Sequence, residues 1–294
     1  VGRHLRSTRS VYLAASVSKV IGGTLAAKLE AEGRLSDGRL VNLDLTAPTS
    51  QYIVNLPPYH NHTVQQLLSH LGCLWHYDTG PEPGNGFYSM ATPAMQQMWT
   101  DPQLPGCTPG VSRNYSTHAF TFVGAVLEQA TGRPIDYLVK EEIAKQYDLP
   151  SLRAQFETSS LPYNYERAAP YDDAGNETNY EDNSWKVLGG GIEVSAVDLA
   201  RFGWKTLNAE TVDAATRDNR LWTRVRWNQP NGLAWEVRNV GGRRVAEHGG
   251  SWSGARSHLR VYRDDGLVIA ILSNRRGHSP SNLATSIANA VLSP

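Results

Sequence analysis

The sequence predicts an α+β fold. Apolar side chains recur at helical spacing through most of the chain. From about residue 230 onward they fall into short strand-like runs separated by turn signals, and one more helical pattern closes the chain.

Residues 17–32 carry Val20, Ile21, Leu25, Ala26 and Leu29 on one helical face and stop at Gly33. Residues 34–62, rich in Pro, Asn and Asp, read as connecting loop. Val64, Leu67 and Leu68 mark a short helix at 63–70. Prolines and glycines dominate 76–113, with one helix near 93–100. Phe120, Val123, Gly124 and Leu127 give a helical face over 117–130 that ends at Gly132, and Pro134 opens another helix. Residues 150–185, polar and aromatic, fit neither period. Ser195 and Asp198 make a Ser-x-x-Asp start before Leu199, Phe202 and Leu207, which resembles a capping box. Strands are predicted at 233–239, 244–248, 256–263 and 266–273, with turns at Gly241-Gly242 and Asp264-Asp265-Gly266. The run 266–273 is apolar throughout, as a strand covered on both faces would be. The closing helix spans 280–292.

Composition narrows the function. The 294 residues suffice for one large domain or two moderate ones, and 28 basic against 28 acidic side chains leave no net charge. Nothing electrostatic therefore favours nucleic acid or an anionic membrane. No run of eighteen apolar residues predicts a membrane span. Residues 1–6 lack the apolar core of a secretory signal, which leaves a processed precursor as the open alternative. Two cysteines exclude a disulfide scaffold and a four-cysteine zinc site. His60-Asn61-His62 has part of a metal-site spacing but no acidic neighbour, so no metal is expected. His70, His76 and His118 read as structural.

Three segments can carry chemistry. In Ser16-Val17-Ser18-Lys19, positions i and i+3 at a helix start share a face, so the lysine amine can reach the serine hydroxyl. A serine is a poor nucleophile until a base takes its proton, and a neutral lysine can be that base. Tyr115-Ser116-Thr117 follows a Pro-Gly loop just before a helix, where a tyrosine beside a lysine can relay protons. His248-Gly249-Gly250-Ser251 ends a predicted strand, and its glycines would let a substrate backbone dock as an added strand. Gly250-Ser251-Trp252-Ser253-Gly254 has its serines in the wrong places for a nucleophile elbow. Trp75 and Trp252 flank these segments and are candidates for an acyl pocket.

Taken in order, Ser-x-x-Lys, a Tyr-x-Thr loop, and a basic residue with glycines on a C-terminal strand resemble the penicillin-recognising serine enzymes. The nearest groups are class C β-lactamases, DD-peptidases and family-VIII esterases. The segments 63–70 and 189–202 strengthen the match, and Tyr115-Ser116-Thr117 with its following helix is similar to the mitochondrial serine β-lactamase-like group and its bacterial relatives. The resemblance implies a β-lactamase/transpeptidase-like fold: an antiparallel sheet flanked by helices (1–20 with 231–294) and a mainly helical domain (21–230), with the active site in the cleft between them.

It also implies roles. Ser16 would be the acylated nucleophile, Lys19 its base partner and Tyr115 the proton shuttle. The amides of Ser16 and Ser251 would form the oxyanion hole. Thr117, His248, Gly249 and Gly250 would bind substrate. No cofactor is implied. Thr117 stands where many members have Asn, and His248-Gly249 where β-lactamases have Lys-Thr, which argues for small esters, amides or short peptides with weak or no β-lactamase activity. Members usually carry a helix and two strands ahead of the nucleophile, whereas fifteen residues precede Ser16 here, so either the chain is a fragment of a longer precursor or these strands are absent or supplied otherwise. Cys73 and Cys107 fall in loops that the family places around the cleft, which implies a disulfide in an exported protein, with two separate buried thiols in a cytoplasmic protein as the open alternative. The alternative from another class is a catalytically idle, self-assembling scaffold.

Overall fold

A computed structural model describes residues 7–76, 86–100, 103–156, 161 and 164–292. Strand β1 (Ser10–Leu13) runs into a 3-10 turn, Ala15–Val17, and directly into α1 (Ser18–Glu32). Next come α2 (Val64–Leu68), α3 (Ala91–Gln96), α4 (His118–Thr131) and α5 (Ile135–Leu138), which continues into a π-helical stretch, Val139–Ala144. Short strands β2 (Arg153–Ala154) and β3 (Glu166–Arg167) precede the 3-10 turn Ser184–Lys186, α6 (Val187–Gly190), β4 (Ile192–Ser195), α7 (Ala196–Leu207) and α8 (Ala214–Thr216). The chain closes with β5 (Glu236–Val240), β6 (Arg243–Trp252), β7 (Ala255–Tyr262), β8 (Leu267–Ser273) and α9 (Pro280–Leu292).

These strands form two sheets. The C-terminal four pair antiparallel in the order β5-β6-β7-β8, and a smaller mixed sheet has the order β2-β4-β1-β3, with β1 parallel to β3. The α+β class holds. The small sheet lies where no strand is predicted, because its strands are only two to four residues long and give too little alternation to read.

The apolar run in β8 has the expected cause. Val268, Ala270 and Leu272 pack on the main core, while Leu267, Ile269 and Ile271 join a second cluster under α9 with Tyr262, Ala284 and Ala288. Helix α1 differs from its amphipathic reading: it is buried on nearly every side, so even Lys19 and Lys28 are interior. Gly33 ends it in the left-handed conformation at φ 62°, returning its N–H to Leu29 O at 3.1 Å. At α7 only half of the expected capping box forms. Ser195 Oγ accepts the Asp198 N–H at 3.2 Å, but the Asp198 carboxylate turns away to the Ser151 N–H (2.8 Å) and hydroxyl (2.5 Å). Strand β6 runs past its predicted end at 248, because β7 pairs with each residue through Trp252 and so overrides the low strand propensity of Gly249-Gly250.

Candidate active site

The segment carrying Ser16 is pinned at both ends. The Ala14 N–H donates to Ile192 O on β4 (2.8 Å), and Ala14 O accepts the Ser257 hydroxyl on β7 (2.5 Å). Ala15 then takes φ 45°, a left-handed conformation that costs a non-glycine residue energy and turns the chain sharply from strand to helix. Ser16 follows on that turn, and Lys19 lies one turn further on.

Lys19 Nζ lies 3.0 Å from Ser16 Oγ, 3.1 Å from Thr117 Oγ1 and 2.5 Å from Gly189 O. The side chain is fully buried. Burial, with the nearby Lys186 cation second, holds its pKa well below the ordinary lysine value. The three contacts suit a free amine: two N–H bonds go to Gly189 O and Thr117 Oγ1, and the lone pair faces the Ser16 hydroxyl. The close meeting of α6 with α4 requires glycine at 189, since a Cβ there would lie 2.8 Å from Thr117 Cγ2.

Tyr115 lies across the lysine, with Nζ 5.0 Å from its ring centroid. Three imidazoles surround this ring: His70 at 4.3 Å, His76 at 5.3 Å and His248 at 6.3 Å between centroids. His76 Nδ1 accepts the Thr117 N–H (3.1 Å) and His70 Nδ1 the Ser116 N–H (3.2 Å), which hold the loop ahead of α4. His248 Nδ1 meets Gly249 O at 2.6 Å. Desolvation lowers the His248 pKa to about 4, against the opposing pull of Glu236 and with some help from Lys19. Position 248 therefore carries a neutral ring at pH 7. His70 is also held well below its ordinary value, first by burial and then by Lys19 and His248. Its Nε2 and that of His248 are buried without a hydrogen-bond partner among the described residues.

Beyond His248, strand β6 passes directly against the turn that carries Ser16. A Cβ at Gly250 would lie 2.1 Å from Ser257 Oγ, 2.6 Å from Ala14 O and 3.1 Å from Ser16 N, so only glycine allows this approach. Two hollows meet at Ser16. The larger, an open cleft of about 420 Å³, has Tyr115, Gly249, Gly250, Ser251 and His258 in its wall. The smaller is a crevice of about 10 Å³ bounded by Thr117, Lys186, Gly189, Ser251 and Trp252. All the residues singled out in the sequence thus converge: Ser16, Lys19, Tyr115, Thr117, His248, Gly249, Gly250 and Ser251. Trp252 lines the crevice, whereas Trp75 lines neither hollow.

Sequence reasoning missed Lys186 and the packing of His70 on Tyr115. The signal for Lys186 was its place just ahead of Gly189-Gly190-Gly191. His60 and His62 form a packed relay: Thr49 Oγ1 meets His62 Nδ1 (2.9 Å), His62 Nε2 lies 3.4 Å from His60 Nδ1, and His60 Nε2 meets Trp99 O (2.7 Å). His118 packs its ring on Trp185 at 5.6 Å. Cys73 and Cys107 are joined, with their Cα atoms 5.7 Å apart.

Comparison with known proteins agrees with this geometry. The Beta-lactamase family model matches residues 2–292. The mitochondrial serine beta-lactamase-like protein LACTB of Homo sapiens is 27% identical over 226 residues, which is 61% of this chain and 41% of the relative, so the chain spans under half of that protein's length. Among solved structures, a D-stereospecific amidohydrolase from Streptomyces sp. matches with a TM-score of 0.76 at 23% identity, over 98% of this chain and 88% of that one. A penicillin-binding protein from Bacillus halodurans matches with a TM-score of 0.78 at 18% identity, over 97% and 87%. With the family model spanning nearly every residue around a Ser-x-x-Lys turn on this fold, the chain belongs to the beta-lactamase family.

Proposed function

We propose that the protein is a serine hydrolase that works through a covalent acyl-enzyme on small esters, amides or short peptides. The observation that carries this reading is the Lys19 Nζ to Ser16 Oγ distance of 3.0 Å, made by an amine that burial favours in its free form. Lys19 takes the Ser16 proton as the hydroxyl oxygen attacks the substrate carbonyl. The tetrahedral oxyanion is received by the amides of Ser16 and Ser251, each worth about 3 kcal/mol. Tyr115, beside the lysine, passes the proton to the leaving group, and water later releases the acyl group.

Substrate preference follows from position 248. A neutral imidazole offers no fixed charge to a carboxylate, so uncharged esters and amides are favoured over β-lactams. The named activity of the Streptomyces relative, an amidohydrolase, accords with this class. The Cys73–Cys107 bond supports export to an oxidising compartment. The test is Ser16→Ala assayed on a p-nitrophenyl ester with circular dichroism as the control. Activity should fall by more than about a hundredfold with the fold intact. A well-folded variant retaining more than about a hundredth of the activity refutes the reading.

A further inference from the structure

Lys186 is a second interior lysine at the reaction centre. It is 2% exposed and ends the 3-10 turn that leads into α6, the helix whose Gly189 carbonyl binds Lys19. Its Nζ lies over the Trp252 indole face, 2.8 Å from the ring centroid, and 4.9 Å from the Trp185 centroid. An aromatic face stabilises the charged form of an amine away from water, and two of them favour an ammonium here. The same side chain bounds the crevice that contains Ser16, Thr117, Gly189 and Ser251. A Cβ at Gly190 would lie 3.7 Å from Lys186 Cε and 3.8 Å from the Ala15 carbonyl carbon, which places the lysine stem beside the turn that carries Ser16.

We propose that Lys186 is a positioning residue for acylation: seated on the Trp252 face in the wall of the crevice that contains Ser16, its ammonium adds to burial in disfavouring a second cation on Lys19, the group that takes the Ser16 proton. The inference rests on the reading of Lys19 as the base. Two ammonium groups at one buried site repel strongly, so the one held by aromatic faces keeps its proton and the other gives it up. The other groups facing Lys19 are the rings of Tyr115 and Phe120, Thr117 Oγ1, Gly189 O, and the imidazoles of His70 and His248, with Glu236 acting on His248. Glu236 is itself paired with Arg113. Both imidazoles are held neutral by burial, and among the described residues Lys186 is the charged group that acts on Lys19.

The measurement is the rate of inactivation by a fluorophosphonate probe against pH. Because Lys19 must be unprotonated to act, the rate rises with pH along a limb set by its pKa. Lys186→Met removes the charge and should move this limb up by at least about one pH unit, a roughly tenfold loss on the limb that recovers at alkaline pH. Lys186→Arg keeps the charge and should keep the limb. Trp252→Leu, at a half-buried position, removes the ring that favours the ammonium and should move the limb the same way by less. A limb that stays at the wild-type pH in whichever of the Met and Leu variants folds overturns the proposal, however slow the variant. The base reading has its own control: Lys19→Arg should be inactive across the range, and an active Lys19→Arg defeats that reading regardless of Lys186.

Discussion

Two sets of buried histidines differ in how their polar atoms are satisfied. His60 and His62 pack on Phe122, and their ring nitrogens are connected through Thr49, each other and the Trp99 carbonyl. His70 and His248 flank Tyr115, and each has an Nε2 with no hydrogen-bond partner among the described residues. A buried polar atom without a partner costs about 1–3 kcal/mol, and a fold carries it where something else is gained. The first pair is scaffold. The second surrounds the proposed reaction centre, where rings held neutral by burial add no positive charge beside Lys19.

The largest effect that separates the two regions should come from Lys19 itself. Lys19→Met removes the base and should lower ester turnover by more than about a thousandfold, whereas His62→Ala should leave turnover per folded molecule close to wild type. The His62 variant should instead lose about 2–4 kcal/mol of stability, read by urea unfolding, from the cavity and the lost ring contacts to Thr49 Oγ1 and His60 Nδ1. A dead but well-folded His62→Ala would erase the distinction.

Next in size is the response to acid. Burial lowers His62 to about 3, and His118 and His248 to about 4. Above the unfolded value near 6.5 both states are neutral at these sites and stability is full. Below it the unfolded chain takes up protons that the folded chain refuses until its own lower pKa is reached. Stability should therefore fall as pH drops from about 6.5 to about 4, and His62→Asn should flatten that slope. A urea midpoint unchanged between pH 7 and 5 would contradict these burial assignments.

Breaking the Cys73–Cys107 bond should cost about 3–4 kcal/mol, because it closes a loop with a separation of 34 residues in the unfolded chain. The loop leads to Tyr115, so Cys73→Ser with Cys107→Ser should also slow turnover. Titration of the denatured, unreduced protein should find no free thiol, and two thiols per chain would remove the bridge. The smallest effect is expected at His248. His248→Lys should raise activity toward carboxylate-bearing substrates relative to neutral esters, with a modest fall in ester turnover. A His248→Ala variant as inactive as Ser16→Ala would place that ring in the proton transfer itself.

Much of this was readable before the structure because it is local. The Ser16–Lys19 spacing, the Val64, Leu67 and Leu68 face of α2 and the apolar β8 run each follow from a short stretch of sequence. What escaped depends on distant segments meeting. The pairs Val11–Ser195 and Arg153–Glu193 define a sheet from strands scattered over nearly two hundred positions, none long enough to alternate. Lys186 looked like any lysine until Trp252, from another part of the chain, was found beneath it. The role of glycine at 250 is likewise invisible without the Ala14 carbonyl and Ser16 amide that press on it.

The central claim is that Ser16 becomes acylated, and the most direct measurement is peptide mass spectrometry after a fluorophosphonate or a slow acylating ester. One adduct per chain on the peptide containing Ser16, absent in both Ser16→Ala and Lys19→Met, is the predicted result. An adduct on Ser18 or Ser251, or ester hydrolysis that persists with Ser16 replaced, would contradict it.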